Sequence, residues 1–303
     1  MRYTALILFI FLTACELRNP TAPYVLSITP RLVRNLDDTL ISTSGLIYWK
    51  GDFWTHGDTY GEEIFCLDST GKIKKRVTVN ATWGNWEDMA QDKKYIYIAN
   101  TGNNLNGARQ DLCVYRIAKK DLLKNDTSVV TVDTVKYSYG TQKNLKQRKT
   151  DDTDFDCEAM ISYGDSLYLF SKQWRKGGTT IYALPKKPGK YVVEPGGFYN
   201  IDGLVTGAAA MPSRGIVLLC GYKTNKATYI NPFVLLLHSY KGTQFFSGQK
   251  RRFEVDAPYH QVEAITLTPD GRCFITNEGI EKFVVKIKPK LMELRLPRGT
   301  SHD

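Results

Sequence analysis

The chain is poor in the features by which enzymes usually announce themselves. It has only 4 His among 303 residues, and His56, His238, His260 and His302 show no spacing that would hold a transition metal. There is no Cys-x-x-Cys and no paired Cys/His cluster, which excludes a zinc finger or a thioredoxin-like redox motif. The sequence also lacks a Gly-x-Ser-x-Gly elbow and a phosphate-binding loop of the Walker type. Convincing amphipathic helices are absent. After residue 15, no apolar run approaches the roughly 20 residues that a membrane-spanning helix needs. Of the 6 Cys, five lie beyond Cys15, at positions 66, 113, 157, 220 and 273. That count is odd, and each lies in or beside an apolar, strand-like run, where Cys behaves as a small buried hydrophobe. A disulfide framework is not expected.

The N-terminus is informative. MRYTALILFIFLTAC combines one Arg, a short apolar run and Leu-Thr-Ala-Cys, the pattern of a secretory signal. Its last four residues resemble a bacterial lipobox. Residues 1–14 are therefore expected to be removed as a lipoprotein signal, Cys15 to carry the lipid, residues 15–23 to form a tether, and residues 24–303 to form one domain. The expected location is the bacterial cell envelope, anchored to the membrane on its periplasmic or surface face. A composition of 42% hydrophobic and 24% charged residues is that of a folded globule. The formal charge of +10 suits anionic lipid headgroups, acidic glycans or phosphorylated ligands, and nucleic acid is not an expected partner of an exported protein.

Short β-branched and aromatic segments, bounded by Gly, Asp, Asn, Lys or Pro, fill the rest of the chain and read as strands. They repeat. Leading strands occur at ISTSGLIYW, NWEDMAQD, DCEAMISY, VTGAAAMP and QVEAITLT, beginning near residues 44, 87, 158, 207 and 263. Second strands follow at DFWTHGD, YIYIANTG, SLYLFSK, GIVLLCG and CFITNEG, and third strands at EIFCLD, LCVYRI, TIYALP, FVLLLHSY and KFVVKIK. Fourth strands are read at IKKRVTV, VDTVKYSY, KYVVEP with GFYNI, and RRFEV.

Such units are propeller blades. The expected architecture is all-β, a propeller of five four-stranded blades, with the missing outer strand of the last blade supplied by YVLSITPRLVR near the N-terminus. Closing the ring in this way removes an exposed edge. A sixth blade is the alternative if the longest interval, residues 87 to 158, hides one. Its excess, KNLKQRKTDDTDFD, reads as a polar loop.

In a propeller the leading strands line the central axis, so their first residues meet at one mouth. Glu87, Glu158 and Glu263 are expected there, with Ser44 and Thr206 from the other two blades. Like charges this close need a cation, a basic side chain or shared protons, and the three Glu are candidate ligands of an ion such as Ca2+. Asp88 adjoins them. The ends of the second strands add His56, Asp58, Asn100, Asn103, Lys172, Asn277 and Glu278, and Arg109 is placed to return over the mouth. Trp174, in KQWRKGG, is the tryptophan expected to be exposed.

These motifs, SGL…FWTHGD, NWEDMA…ANTGNN…R…VYRI, CEAM…LYLFSK, VTGAA and VEAI…FITNEG, resemble a family of secreted bacterial β-propeller lipoproteins, more distantly the phytase-like and NHL-like propellers. Acids are common in that pattern at the positions of Asn100 and Asn103. Together the signal, the charge and the polar funnel point to a monomeric, membrane-tethered module that binds a glycan, a small anionic ligand or a protein partner through that funnel. Two alternatives stay open: a glycosidase- or phosphoesterase-type hydrolase using Glu158 and Glu263, and a protein–protein scaffold.

Overall fold

The computed structural model describes residues 26–57, 61–82, 84–124, 128–225, 229–282 and 285–297. Cys15, Asp58 and Trp83 lie outside these residues. Strands dominate, and they assemble into five sheets arranged as blades, plus one two-stranded hairpin. The innermost strands are Thr43–Trp49, Trp86–Gln91, Asp156–Tyr163, Leu204–Met211 and Val262–Leu267. Each begins a blade that runs outward by antiparallel neighbours. No helix among the described residues is long and apolar enough to cross a membrane.

Alternation explains why the blades stack. Side chains along a strand point to opposite faces, and here both faces are covered by neighbouring blades. In blade 4, Leu218 and Cys220 pack toward blade 5, whereas Val217 and Leu219 pack toward blade 3. The buried apolar side chains accordingly form five clusters, one in each gap between adjacent blades. Cys66, Cys113, Cys157, Cys220 and Cys273 are all buried and free.

Closure is made by the N-terminal segment. Arg31–Asn35 pairs antiparallel with Lys290–Leu294 and forms the outer strand of blade 5. Just before it, Leu26–Ile28 adds a parallel fifth strand to blade 4, alongside Gln249–Val255. Val129–Thr131 and Gly189–Val193 do the same for blades 1 and 2. Among its described residues, the long interval between blades 2 and 3 holds no sixth blade: it holds the short helix Lys119–Leu122, the added strand Val129–Thr131, the outer strand Asp133–Tyr139 and an exposed loop.

Two expectations are corrected. KFVVKIK is not the third strand of blade 5. Residues 280–282 and 285–287 form a separate hairpin, and Lys290–Leu294 takes the third position because Leu291, Met292 and Leu294 supply the buried apolar face. KYVV of KYVVEP belongs to blade 2, while Pro195–Tyr199 is the outer strand of blade 3.

Candidate functional site

All five inner strands carry a β-bulge at the same point, between Ser44 and Leu46, Trp86 and Asp88, Cys157 and Ala159, Val205 and Gly207, and Val262 and Ala264. A bulge inserts one unpaired residue and re-aims its side chain. The inserted residues are Gly45, Glu87, Glu158, Thr206 and Glu263. Equivalence with the glutamates therefore falls on Gly45 rather than on Ser44. Gly45 has φ +64°, and a Cβ there would press on His56 Nε2 at 2.6 Å and on the Met89 amide at 2.8 Å.

Three glutamates meet at this mouth. Glu87, Glu158 and Glu263 are each no more than 5% exposed. Oxygens of Glu87, Asp156 and Glu158 all lie within 4.8 Å of one another. Into the cluster reaches the ammonium of Lys172, which forms an ion pair with Glu158 Oε2. The aromatic faces of Trp174 and Tyr222 flank that ammonium at 4.6 and 5.3 Å. Burial works against the charge on Lys172, but Glu158 first, then Tyr222, Glu263 and Asp156, hold it protonated and raise its pKa. For Glu158, burial pushes the pKa up, Lys172 pulls it down, and Glu87, Asp156 and Glu263 add to the rise. The Tyr222 hydroxyl is likewise driven up by burial. Among the described residues, the cluster thus has four carboxylates around one ammonium.

Asp156 escaped the sequence reading, and the structure puts it, rather than Glu263, in the three-carboxylate group. Its Oδ1 accepts from the Asn103 amide at 2.6 Å and its Oδ2 from Trp174 Nε1 at 2.8 Å. Trp174, expected to be exposed, is half-buried and serves as a wall of the site. The usable signal was the i, i+2 spacing of Asp156 and Glu158, which sends both side chains to one side of a strand. As a calcium site the carboxylate oxygens suit the ion, but Lys172 already fills part of the space, so an ion would have to displace its ammonium from Glu158.

Ser44 and Thr206, expected at the site, hold the scaffold instead, as does Thr101. Ser44 Oγ donates to the Glu87 carbonyl, Thr101 Oγ1 to the Cys157 carbonyl at 2.7 Å and Thr206 Oγ1 to the Val262 carbonyl at 2.6 Å. Each hydroxyl ties one blade to the next. Asp88 lies below the mouth, fully buried, and its carboxylate accepts from the amides of Met89, Met160 and Ala208 on three blades. Beneath it the axis narrows to a space of about 70 Å³ lined by all five inner strands, among them Leu46, Met89, Met160, Ala208 and Ile265.

Arg109 does not cross the mouth. Its guanidinium donates to the Gly102 carbonyl at 2.7 Å and to Asn100 Oδ1 at 3.0 Å, and it pairs with Asp111. Asn100 Oδ1 also accepts from the Asn85 amide at 2.9 Å, so Asn100 and Arg109 together brace a loop whose Gly102 sits directly on Glu87 Oε1. Asn103 joins that loop to Asp156 and Phe155. His56 is buried beneath Gly45 with its Nδ1 against the Gly57 carbonyl, and burial lowers its pKa to about 4, leaving it neutral. Asn277 donates to the carbonyls of Glu278 and Lys288, and Glu278 accepts from Gln261 at 2.9 Å.

No protein-family model matches this chain, and no curated protein matches it by sequence. Solved structures do resemble it. A glucose dehydrogenase superposes with a TM-score of 0.52 at 9% identity, covering 88% of this chain and 99% of its own. In fold, this is a β-propeller. An apo-form soluble aldose sugar dehydrogenase from Escherichia coli gives a TM-score of 0.49 at 10% identity, over 89% of this chain and 99% of that one. At such identity the propeller shares only its architecture with these enzymes, and no site residue is carried across.

Proposed function

We propose that this propeller is an exported, membrane-tethered binding module, lipidated at Cys15, that takes a small polar ligand at the acidic mouth of its axis. The observation that carries this reading is the convergence of Glu87, Asp156 and Glu158 on one buried point, with Glu263 close enough to act on Glu158 and Lys172, and Lys172 the one ammonium among the described residues there. A ring needed only for support would be served by hydroxyls, as Ser44, Thr101 and Thr206 serve elsewhere on the same axis. Buried carboxylates carry a heavy desolvation cost, which a ligand offering donors or positive charge offsets. The excess of carboxylates among the described residues favours a neutral, hydroxyl-rich ligand or a cation over an anion. Sugars are the first class to test: carboxylates accept from hydroxyls, and the ring of Trp174 offers an apolar wall beside them.

The test is thermal unfolding in the presence of monosaccharides and of Ca2+, each added separately. A ligand at a hundredfold excess over its dissociation constant should stabilise the native state by about 2.7 kcal/mol. Glu87→Gln and Glu263→Gln should abolish the gain while leaving a cooperative transition. If these variants lose stability to the same extent with and without every probe, the ring is structural. Turnover of a bound sugar derivative, stopped by Glu158→Gln with binding retained, would mark the hydrolase alternative. The anchor is tested on its own, by metabolic labelling with a fatty-acid analogue that should mark the natural chain and not Cys15→Ser.

A further inference from the structure

The face opposite the acidic mouth carries a groove of about 1010 Å³ between the ends of blades 4 and 5. Its floor is apolar, with Leu267 and Leu296 partly exposed over the buried Met211, Leu236 and Leu294, and its rim carries Arg214, Arg272 and Arg295. The acids there are already engaged. Glu293 is held by Arg272 and Arg31, which draw its pKa down to about 2, and Asp270 accepts from the Thr268 hydroxyl. Arg214 and Arg295 are exposed and take part in no ion pair among the described residues. Arg214 closes the three-residue turn Pro212–Arg214, and its guanidinium lies over Gly271, donating to the Asp270 carbonyl at 3.4 Å. It is thus held at the rim rather than free in solvent.

The direction of the chain adds a second, independent observation. Leu26–Ile28 runs parallel to Gln249–Val255. The latter starts opposite His238, a lining residue of the groove, and ends toward the acidic mouth. Leu26–Ile28, opposite Phe253 to Val255, therefore heads away from the groove face and toward the mouth.

We infer that the groove face is the surface the protein lays against its own membrane, with Arg214 and Arg295 binding phosphate groups of anionic lipids and Leu267 and Leu296 meeting the apolar edge of the headgroup layer. Here the inference rests on the reading of Cys15 as the anchor, because a lipid on the chain keeps the domain beside the bilayer. The electrostatics agree. Anionic headgroups attract the guanidinium rim and repel the cluster of Glu87, Asp156, Glu158 and Glu263, so the ligand mouth is turned outward. Apolar surface framed by arginines also suits an interface where one side is greasy and the other charged.

A chain begun at residue 16 provides the test, since every described strand of the closed ring lies within residues 26–297 and the lipid is absent. Its cosedimentation is measured with vesicles of phosphatidylglycerol and phosphatidylethanolamine, and with vesicles of phosphatidylcholine alone. Selective binding to the anionic vesicles is expected. At about fivefold per charge near the surface, Arg214→Ala with Arg295→Ala should weaken it roughly twentyfold, whereas Lys146→Ala with Lys149→Ala, in the loop on the mouth side, should change it little. Equal binding to both vesicles, or no binding, overturns the inference, as does an equal loss in the lysine pair, which would mean net charge alone is responsible. Displacement from the vesicles by inorganic phosphate at the same ionic strength would assign the arginines to a soluble anion and also overturn it. The acyl-labelling result is read separately, so failure of the anchor and failure of the docking face are distinguishable.

Discussion

Replacing Asp88 by alanine removes one acceptor from three strands at once. Asp88 Oδ2 accepts from the Met160 amide at 2.7 Å and the Ala208 amide at 3.2 Å, and Oδ1 accepts from the Met89 amide at 2.7 Å. Met160 and Ala208 stand on the inner strands of blades 3 and 4, so the carboxylate of a blade 2 residue joins three of the five sheets across the axis. No water reaches it, since Asp88 is 0% exposed. An orphaned buried amide costs about 1–3 kcal/mol, so losing the two inter-blade bonds costs roughly 2–6 kcal/mol. Burial also pushes the Asp88 pKa well above the carboxylate range, and removing that strained charge returns part of the loss. A net destabilisation of about 2–4 kcal/mol remains, a large share of a domain's usual 5–15 kcal/mol. Urea unfolding should show a lowered midpoint in Asp88→Ala, and Asp88→Asn should fare little better because its amide nitrogen would face donors. If Asp88→Ala unfolds within about 0.5 kcal/mol of the natural protein, the carboxylate is not the axial strut described here.

Three further outcomes are expected. His56 is neutral in the fold because burial lowers its pKa from 6.5 to about 4, so its contribution is present above pH 6.5 and is lost as pH falls toward 4. Linkage puts the loss at about 2 kcal/mol by pH 5, and a His56→Gln variant whose stability falls as steeply between pH 8 and 5 would contradict this. Lys172→Ala leaves the buried carboxylates without their ammonium and should cost about 3–5 kcal/mol, partly restored by Ca2+ entering among Glu87, Asp156 and Glu158; a variant as stable as the natural chain in EDTA refutes that account. Gly102→Ala would drive a methyl into Glu87 Oε1 and Asn85 Nδ2 and should abolish ligand-induced stabilisation at a folding cost of about 1–3 kcal/mol, while an intact ligand response would show that Glu87 is not held by that loop.

The blades were legible because a propeller writes its core twice per strand: both faces are buried, and the leading Glu marks the same bulge in three of the five repeats. What escaped was set by features that leave little trace in alternation. A bulge shifts register by one residue, so Ser44 read as the partner of Glu87 although Gly45 occupies that place. KFVVKIK is as strand-like as KLMEL, and only burial of Leu291, Met292 and Leu294 against neighbouring strands decides between them. The added parallel strands are long-range pairings, invisible in local pattern. At the site, Glu87, Glu158, Glu263 and Lys172 converge, whereas Ser44, Asp88, Asn100, Thr206 and Arg109 are spent on backbone and loop contacts. Polar residues near an axis look alike in sequence whether they face a ligand or a carbonyl.

Isothermal titration of the natural protein and of Glu87→Gln with monosaccharides and with Ca2+ tests the central claim most directly, because it measures binding without reference to stability. The account predicts a single saturable site for at least one of these probes in the natural chain and its loss in Glu87→Gln, with both proteins folded by circular dichroism. Binding of the same strength in both would place the ligand away from the carboxylate ring and contradict the account.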